Sequence, residues 1–533
     1  MTDSLCSRAW GAGVVCDPAG AFCQTLDLAT STVTVVTPSL SVNVSIDLNS
    51  PLLGPNGQPT KEAGIVRVHA VGTNGSKFGL TVTLEPYRTE QPAVFGGPFY
   101  QHACYPRFEH PDAIDTISGA DAVTWVHWNH INTTFFNDTV RDQGIDPSEH
   151  PDLIDPFTHR AFGGQISGKG LTAVKGSGGL AVSTGKDEEL ASVEVQVKLL
   201  TQPDTDPTTW RATIDKLQPA PAPADGALPI NCKRGGTAAW TEVAGCATTW
   251  EEIVARSYVQ VEEVTSETVD HSRSAAENIT THAVWDRYLS LIQGRSAYAP
   301  IKFNGQGFLS DQAGKGWDLR EWGIAYWWQG TRHPYYNALT AGDSDTMRSM
   351  LDFYTRMLPY TQARSAAQWS GEPMAGGALT GNAALFEEVT TQFGTYHEGN
   401  WGCPNKNASH SAVNKRPYGA SNNRFIRFHF TGSLEMSLMA LDLYDATQSE
   451  DDLTAYLPLV AAVVEGFRQR FPNKDAEGKI DMWPSQALET YGCHNITGGS
   501  ENGGKEGAPN RETCMTNPST DISGTCTHCQ HLI

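Results

Sequence analysis

Two hydrophobic periods divide the chain. From about Leu26 to Leu200, apolar and polar residues alternate in stretches such as STVTVVTPSLSVNVSIDL, FGLTVTLEP, AVTWVHWNH and ASVEVQVKLL, broken by Gly, Pro and Asn. Alternation at period two puts apolar side chains on one face of a strand, and many short strands separated by turn residues predict an antiparallel β-sandwich. LQPAPAPADGALP, residues 217–229, cannot continue a strand ladder and is extended in its own right. A linker is therefore expected over 217–247, between a β-sandwich domain at 1–216 and a helical domain at 248–533. Beyond the linker the period becomes helical. TTWEEIVARSYVQ opens with Thr249 and Glu252 at capping-box spacing, and ITTHAVWDRYLSLIQ sets Val284, Tyr288 and Leu291 along one face. SDTMRSMLDFYTRML is expected to start from Asp343 or Ser344 as a cap, and RFHFTGSLEMSLMALDLYDA is amphipathic. SEDDLTAYLPLVAAVVEGFRQRF begins with acids that suit the positive end of a helix dipole. No repeat of roughly 20 to 50 residues recurs, which disfavours a solenoid and leaves a toroid of helical hairpins open.

Charge narrows the partners. The 533 residues carry 38 Lys and Arg against 59 Asp and Glu, a formal net charge of -21. Nucleic-acid binding rests on clustered Lys and Arg, so DNA and RNA are not expected as partners. No run approaches the roughly 20 apolar residues needed to cross a bilayer, and the longest apolar stretch, near Leu457 to Val464, is interrupted by Pro458. No membrane association is expected. Seven N-x-S/T sites, at Asn43, Asn74, Asn132, Asn137, Asn278, Asn407 and Asn495, and eleven cysteines fit a secreted glycoprotein with disulfides, Cys232 with Cys246 closing the easiest short loop. The opening residues MTDSLCSRAWGAGVVCDPAG show no basic segment followed by an apolar run, so no signal peptide is visible in this chain.

The densest candidate chemistry lies in WGIAYWWQGTRHPYY, residues 322–336. Aromatic faces pack against the C–H face of a pyranose while an arginine fork and an amide reach its hydroxyls, the mix expected of a ligand pocket. Trp322, Trp327, Trp328, Gln329 and Arg332 are the candidate sugar-binding residues, and core packing is the competing explanation for the tryptophans.

Taken in order, IKFNGQGFLSDQ, WWQGTRHPYYNALTAGDSDTM, FEEVTTQFGTY and IDMWPSQALETY resemble the six-hairpin, (α/α)6 glycoside hydrolases. WVHWNHINTTFF with DPFTHRAFGGQISGKGL resembles the β-sandwich of unknown function that precedes the toroid in uncharacterised secreted relatives; a more distant resemblance is to the α-fucosidases of glycoside hydrolase family 95. The resemblance implies an N-terminal antiparallel β-sandwich followed by an (α/α)6 toroid, and an inverting glycosidase. In family 95 the stretch matching WWQGTRHPYY carries two asparagines that position the attacking water; here Trp328 and Gly330 stand in their places. The toroid needs twelve helices and only about seven helical segments are visible, so the helical domain is expected to be truncated at its C-terminal side, with the catalytic base beyond it.

Glycosidases employ one carboxyl kept protonated as acid and a second, ionised one as base or nucleophile. DMWPSQALETYG resembles the family 95 pattern P-S-x-S-P-E, which places Glu489 as proton donor, with Ala487 and Leu488 replacing the second Ser and the Pro. Its neighbours Trp483, Leu488 and Tyr491 form an apolar setting of the kind that raises a carboxyl pKa. Glu388 is the candidate second carboxyl, and its neighbour Glu387 a sugar ligand; successive extended residues point oppositely, so one of the pair is expected to be solvated. Glu435 and Asp442, seven apart, share a helix face, but an ordinary helix position explains them as well.

The reading is a glycoside hydrolase acting on poly- or oligosaccharide, with no cofactor. A non-catalytic carbohydrate-binding protein is the alternative, and a polysaccharide lyase using Tyr396 or His397 a second. Cys526 and Cys529 with His528 and His531 approach metal-ligand spacing, but a lone C-x-x-C is weak and no metal is assigned. No Gly-rich phosphate loop after a strand, no G-x-S-x-G and no H-E-x-x-H is seen. The sequence leaves the sugar, linkage and oligomeric state undetermined.

Overall fold

The computed structural model describes residues 13–16, 22–28, 30–46, 52–53, 63–84, 117–118, 121–128, 136–137, 140, 145–151, 153, 155, 159–176, 179–185, 188–219, 250–262, 275–294, 300–301, 326–369, 379–390, 426, 428–487 and 516–518. Contacts group the chain into two compact units, one of residues 1–91, 110–131 and 157–289, the other of 92–109, 132–156 and 290–533. An antiparallel, sheet-rich N-terminal region is followed by helices.

In the first unit nine strands form one sheet in the order Gly13–Cys16, Cys23–Asp27, Thr32–Val36, Leu40–Ile46, Ala63–Gly72, Ser192–Gln202, Ala161–Gly168, Ala122–Trp128, Ile117–Ser118. A second sheet contains Thr172–Gly176, Gly179–Ser183 and Thr81–Leu84, and all these pairings are antiparallel. Side-chain alternation explains why the larger sheet buries both faces. Ala70, Val123, Ile166, Val193 and Val195 pack with Val182 of the smaller sheet. On the same strands Ile65, Val126, Ala161 and Leu200 have the opposite parity and pack instead on Trp210 and Ile214 of the helix Pro207–Ile214.

That helix departs from the expected all-β first half. Its signal is local: Asp206 caps it by accepting from the Thr208 and Thr209 amides at 2.7 and 3.0 Å, and Pro207 occupies its first turn. Trp210 is fully buried, and its indole N–H donates to the Leu200 carbonyl. Trp250–Ala255 and Ala275–Gly294 are helical, with Val284, Tyr288 and Leu291 buried on one face as their spacing predicts. Arg287 donates to the carbonyls of Ile253, Val254 and Ser257, clasping the C-terminal end of the first helix to the second.

The second unit is built on Ser344–Arg356, Leu358–Trp369, Thr431–Thr447 and Glu450–Arg470. Met347, Met350, Leu351 and Tyr354 from the first of these helices share one core with Leu434, Leu443, Tyr456, Leu459 and Val463. The last two helices form a hairpin through Gln448, left-handed at φ 51°, and Ser449, whose hydroxyl accepts from the Asp452 amide. Arg348 grips the Asp452 carboxylate with two hydrogen bonds of 2.8 Å and so ties Ser344–Arg356 to Glu450–Arg470. Asp343 occupies the cap position of its helix, but its side chain makes no capping bond; its carbonyl accepts from the Thr346 amide instead.

The single cut expected at 217–247 differs from the contact grouping, which assigns residues 132–156 to the helical unit and 250–289 to the sheet unit. Phe136, Val140, Ile145 and Leu153 pack on Tyr360, burying apolar surface that the alternating pattern could not allocate. Most of the expected linker, residues 220–247, lies outside the described residues.

Candidate functional site

A short antiparallel pair, Tyr326–Trp327 with Val389–Thr390, sets the site. Its register brings the Trp328 amide onto the Glu388 carbonyl at 2.8 Å, so the turn Trp328–Thr331 begins beside that glutamate. The Gln329 amide then donates to Glu388 Oε1 at 2.6 Å, and His429 Nδ1 lies 3.0 Å from Oε2. Both carboxylate oxygens are thus engaged, and Glu388 is 1% exposed.

Glu387 points elsewhere, as alternation requires. Its Oε1 accepts from Arg364 Nη1 at 2.8 Å, both side chains being fully buried, and Arg364 Nη2 donates to the Leu385 carbonyl. The expectation that one of the two glutamates is solvated is therefore corrected: an internal guanidinium takes one and an internal imidazole and amide take the other. The backbone around them is anchored throughout. Ser433 Oγ accepts from the Phe386 amide and donates to its carbonyl, Ser365 Oγ accepts from the Leu385 amide, and the Ala384 amide donates to Ala462 O. Close approach requires a glycine here: a Cβ on Gly466 would stand 2.4 Å from the Ala384 carbonyl oxygen.

A second carboxylate joins the same turn. Glu435 Oε2 accepts from Trp328 Nε1 and from Arg332 Nη1, each at 2.7 Å, and Oε1 accepts from the Tyr336 hydroxyl. The Glu435 side chain is 22% exposed and Arg332 26%, so this carboxylate, unlike Glu388, reaches the surface. Burial opposes the charge on Arg332, but the Glu435 hydrogen bond and charge, with smaller contributions from Tyr336 and Glu388, raise its pKa. Burial first, and then Glu435, push the Tyr336 phenol well above its ordinary range. Gly432, one turn before Glu435, leaves room for Trp328, whose Cδ1 would lie 2.7 Å from an added Cβ.

The sequence candidates fall into three groups. Trp328 is buried at 2% exposure, edge-on to Tyr354, and Trp327 at 5%. Their rings are core, and Trp328 serves the site through its N–H, which corrects the expectation of open stacking faces. Gln329 and Arg332 are half-buried beside the two carboxylates. Trp322 and Glu489 lie outside the described residues, as do Tyr396, His397 and the Cys/His tail. Asp442, on the Glu435 helix, is exposed. Among the described residues no group of three or more His, Cys, Asp or Glu could hold a metal ion.

His429, Arg364 and Tyr336 were not singled out by sequence, since each gains its meaning from a partner 23 to 99 residues away. His429 sits next to an anchored segment: the Phe428 amide donates to Gln486 Oε1 at 2.7 Å and the Gln486 amide donates back to Phe428 O at 3.1 Å. Ser485 and Gln486 are fully buried, following a cis Trp483–Pro484 peptide. Chemically, the described part of the site offers a sealed carboxylate backed by an imidazole, and an accessible carboxylate among an arginine, a phenol and an indole N–H.

Residues 16–233 match the N-terminal domain of unknown function DUF5703. No curated protein matches the chain. A solved structure described as "Putative kojibiose phosphorylase from human microbiome" is similar with a TM-score of 0.45 and 10% sequence identity, over 89% of this chain and 49% of that one. The chain thus spans about half the length of that protein.

Proposed function

We propose that the helical unit is a carbohydrate-active enzyme that hydrolyses a glycosidic bond in a poly- or oligosaccharide. The observation that carries this reading is the joining of two carboxylates, Glu388 and Glu435, to one short turn, Trp328–Arg332, with Arg332 bonded to the accessible one. A carboxyl and an arginine at a half-open surface, walled by aromatic residues, suit the hydroxyls of a neutral sugar. Sugar contact falls to Gln329, Arg332, Glu435 and Tyr336, with the two buried tryptophans behind them.

The proton donor in this proposal is Glu489. Its support is the likeness of DMWPSQALETYG to the glycosidase acid loop, together with the firm anchoring of Gln486, three residues before it, against the segment that carries His429. An (α/α)6 arrangement of the helical unit and inversion at the anomeric carbon belong to the same proposal. An inverting enzyme needs its carboxyls roughly 6.5–9.5 Å apart to admit water, whereas about 5–5.5 Å gives retention. The test is incubation of the purified chain with a panel of aryl glycosides and natural oligosaccharides, following the first-formed anomer by proton NMR. Sugar released with inverted configuration, and lost in Glu489→Gln, is the expected result.

A second reading, a carbohydrate-binding protein without catalysis, is favoured by one observation: Glu388, 1% exposed and bonded on both oxygens inside the protein, is closed off from water. Sugar binding by calorimetry without release from any substrate would select it.

A further inference from the structure

We infer that Glu388 is a positioning residue whose task is to hold His429, itself 5% exposed, as its Nδ1–H tautomer, so that Nε2 is left as the ring's hydrogen-bond acceptor and base. The inference rests on the carbohydrate-hydrolysing reading above and changes the role of one of its carboxyls.

Glu388 is bonded on both carboxylate oxygens. Its Oε1 accepts from the Gln329 amide, which can only donate, and its Oε2 faces His429 Nδ1 at 3.0 Å. A carboxylate in that position accepts from Nδ1–H, which places the lone pair on Nε2; an acidic partner fixing an imidazole tautomer is a general device. Among the described residues, the charged and titratable groups facing Glu388 come from three elements. Arg332 comes from the turn, Tyr354 from the helix Ser344–Arg356, and His429 from the segment before Thr431.

His429 is well held for such a role. The Ile426 carbonyl accepts from its own amide, and Phe428, next to it, is bonded in both directions to Gln486. A ring fixed on one nitrogen by a buried carboxylate and on its backbone by two elements loses little freedom when a ligand arrives, the condition under which an oriented base is effective. In the step considered, Nε2 takes a proton from the attacking water as its oxygen bonds to the anomeric carbon. The glycosidic C–O bond breaks with its electron pair going to the leaving oxygen, which takes the proton of Glu489, and the imidazolium formed is stabilised by Glu388 through Nδ1–H.

The geometry gives the test an unusual sign. In Glu388→Gln the Gln329 amide still requires an acceptor and claims the new carbonyl oxygen. The amide NH2 then faces Nδ1, which must accept, and the ring proton moves to Nε2. The experiment is long-range proton–nitrogen correlation on the full chain labelled with 15N-histidine, in wild type, Glu388→Gln and His429→Gln, the last to assign the signal. Nδ1–H in wild type and Nε2–H in Glu388→Gln is the expected pair of results. An Nε2–H ring in wild type, or an unchanged tautomer in the variant, would overturn the inference, and thermal melts of each variant show whether it is folded.

Turnover of an aryl glycoside cleaved by wild type is measured on the same samples. Loss of an oriented base lowers kcat by roughly 100- to 10,000-fold, expected in His429→Gln and in Glu388→Gln with little change in KM. Full turnover by a folded His429→Gln variant overturns the catalytic role. If wild type cleaves none of the panel, the hydrolase reading fails, and with it the role of His429 as a base, while the tautomer result still decides the positioning by Glu388.

Discussion

At the scale of the residue, the site depends on charges paired within the protein. Arg364 and Glu387 are paired at full burial, and removing one member of such a pair weakens the compensation of a buried charge. Arg364→Met is therefore expected to destabilise the protein by about 3–5 kcal/mol, while the double variant Arg364→Met with Glu387→Gln recovers most of the loss. Urea unfolding of the wild type, both single variants and the double variant measures this, and equal losses in single and double variants would contradict it. The tyrosines supply a pH dependence. Burial raises the phenols of Tyr326, Tyr335, Tyr336 and Tyr354 above their ordinary 10.0. Between the unfolded and folded values the native state holds more protons, so the stabilising contribution is complete below about pH 10 and falls as pH rises further. Unfolding free energy is expected to drop with increasing slope above about pH 10, accompanied by delayed phenolate absorbance; tyrosines that ionise in the folded protein at their ordinary value would exclude it.

At the scale of the element, the account predicts that the carboxylates are held by helix packing. An alanine at Gly466 forces Cβ against the Ala384 carbonyl, and overpacking of this kind costs about 1–3 kcal/mol. Gly466→Ala is expected to lower stability by that amount and to weaken sugar binding, because the displaced segment runs directly into Glu387 and Glu388. Differential scanning calorimetry and a binding isotherm on one preparation check both parts.

Much of this level is legible in the sequence. Val284, Tyr288 and Leu291 announce their helix face, and Ser449 with the acids after it announces the start of Glu450–Arg470. The strands Thr32–Val36, Leu40–Ile46, Ala122–Trp128 and Ser192–Gln202 follow the alternation that marks them. Ala161–Gly168 is harder to read because Gly163 and Gly164 interrupt its pattern; their backbone passes so close to Trp125 that any side chain would clash. The short helix after Asp206 is hidden because eight residues carry little periodicity, although the Asp-Pro capping pair was present to be read. Glu435 looked like an ordinary helix position since one-face spacing does not say what stands opposite, and only the register of Tyr326–Trp327 on Val389–Thr390 brings Trp328 and Arg332 there. His429 gave no local signal, because its meaning lies in Glu388, 41 residues earlier.

At the scale of the whole molecule, an antiparallel sheet unit carrying the DUF5703 match and a helical unit carrying the carboxylates divide the chain's chemistry unequally. Glu388, Glu435, Arg332 and His429 belong to the helical unit, and among the described residues no helix is long and apolar enough to cross a membrane. The central claim is that the accessible carboxylate Glu435, held by Arg332, Trp328 and Tyr336, contacts the sugar whose glycosidic bond is hydrolysed. The measurement that tests it most directly is the rate of sugar release by wild type and by Glu435→Gln from one substrate of the glycoside panel, with folding of both confirmed by their melting curves. The account predicts release by wild type and a fall of about 100-fold or more in the variant, the range typical of a lost charge-stabilising group. Equal rates from two folded proteins would contradict it.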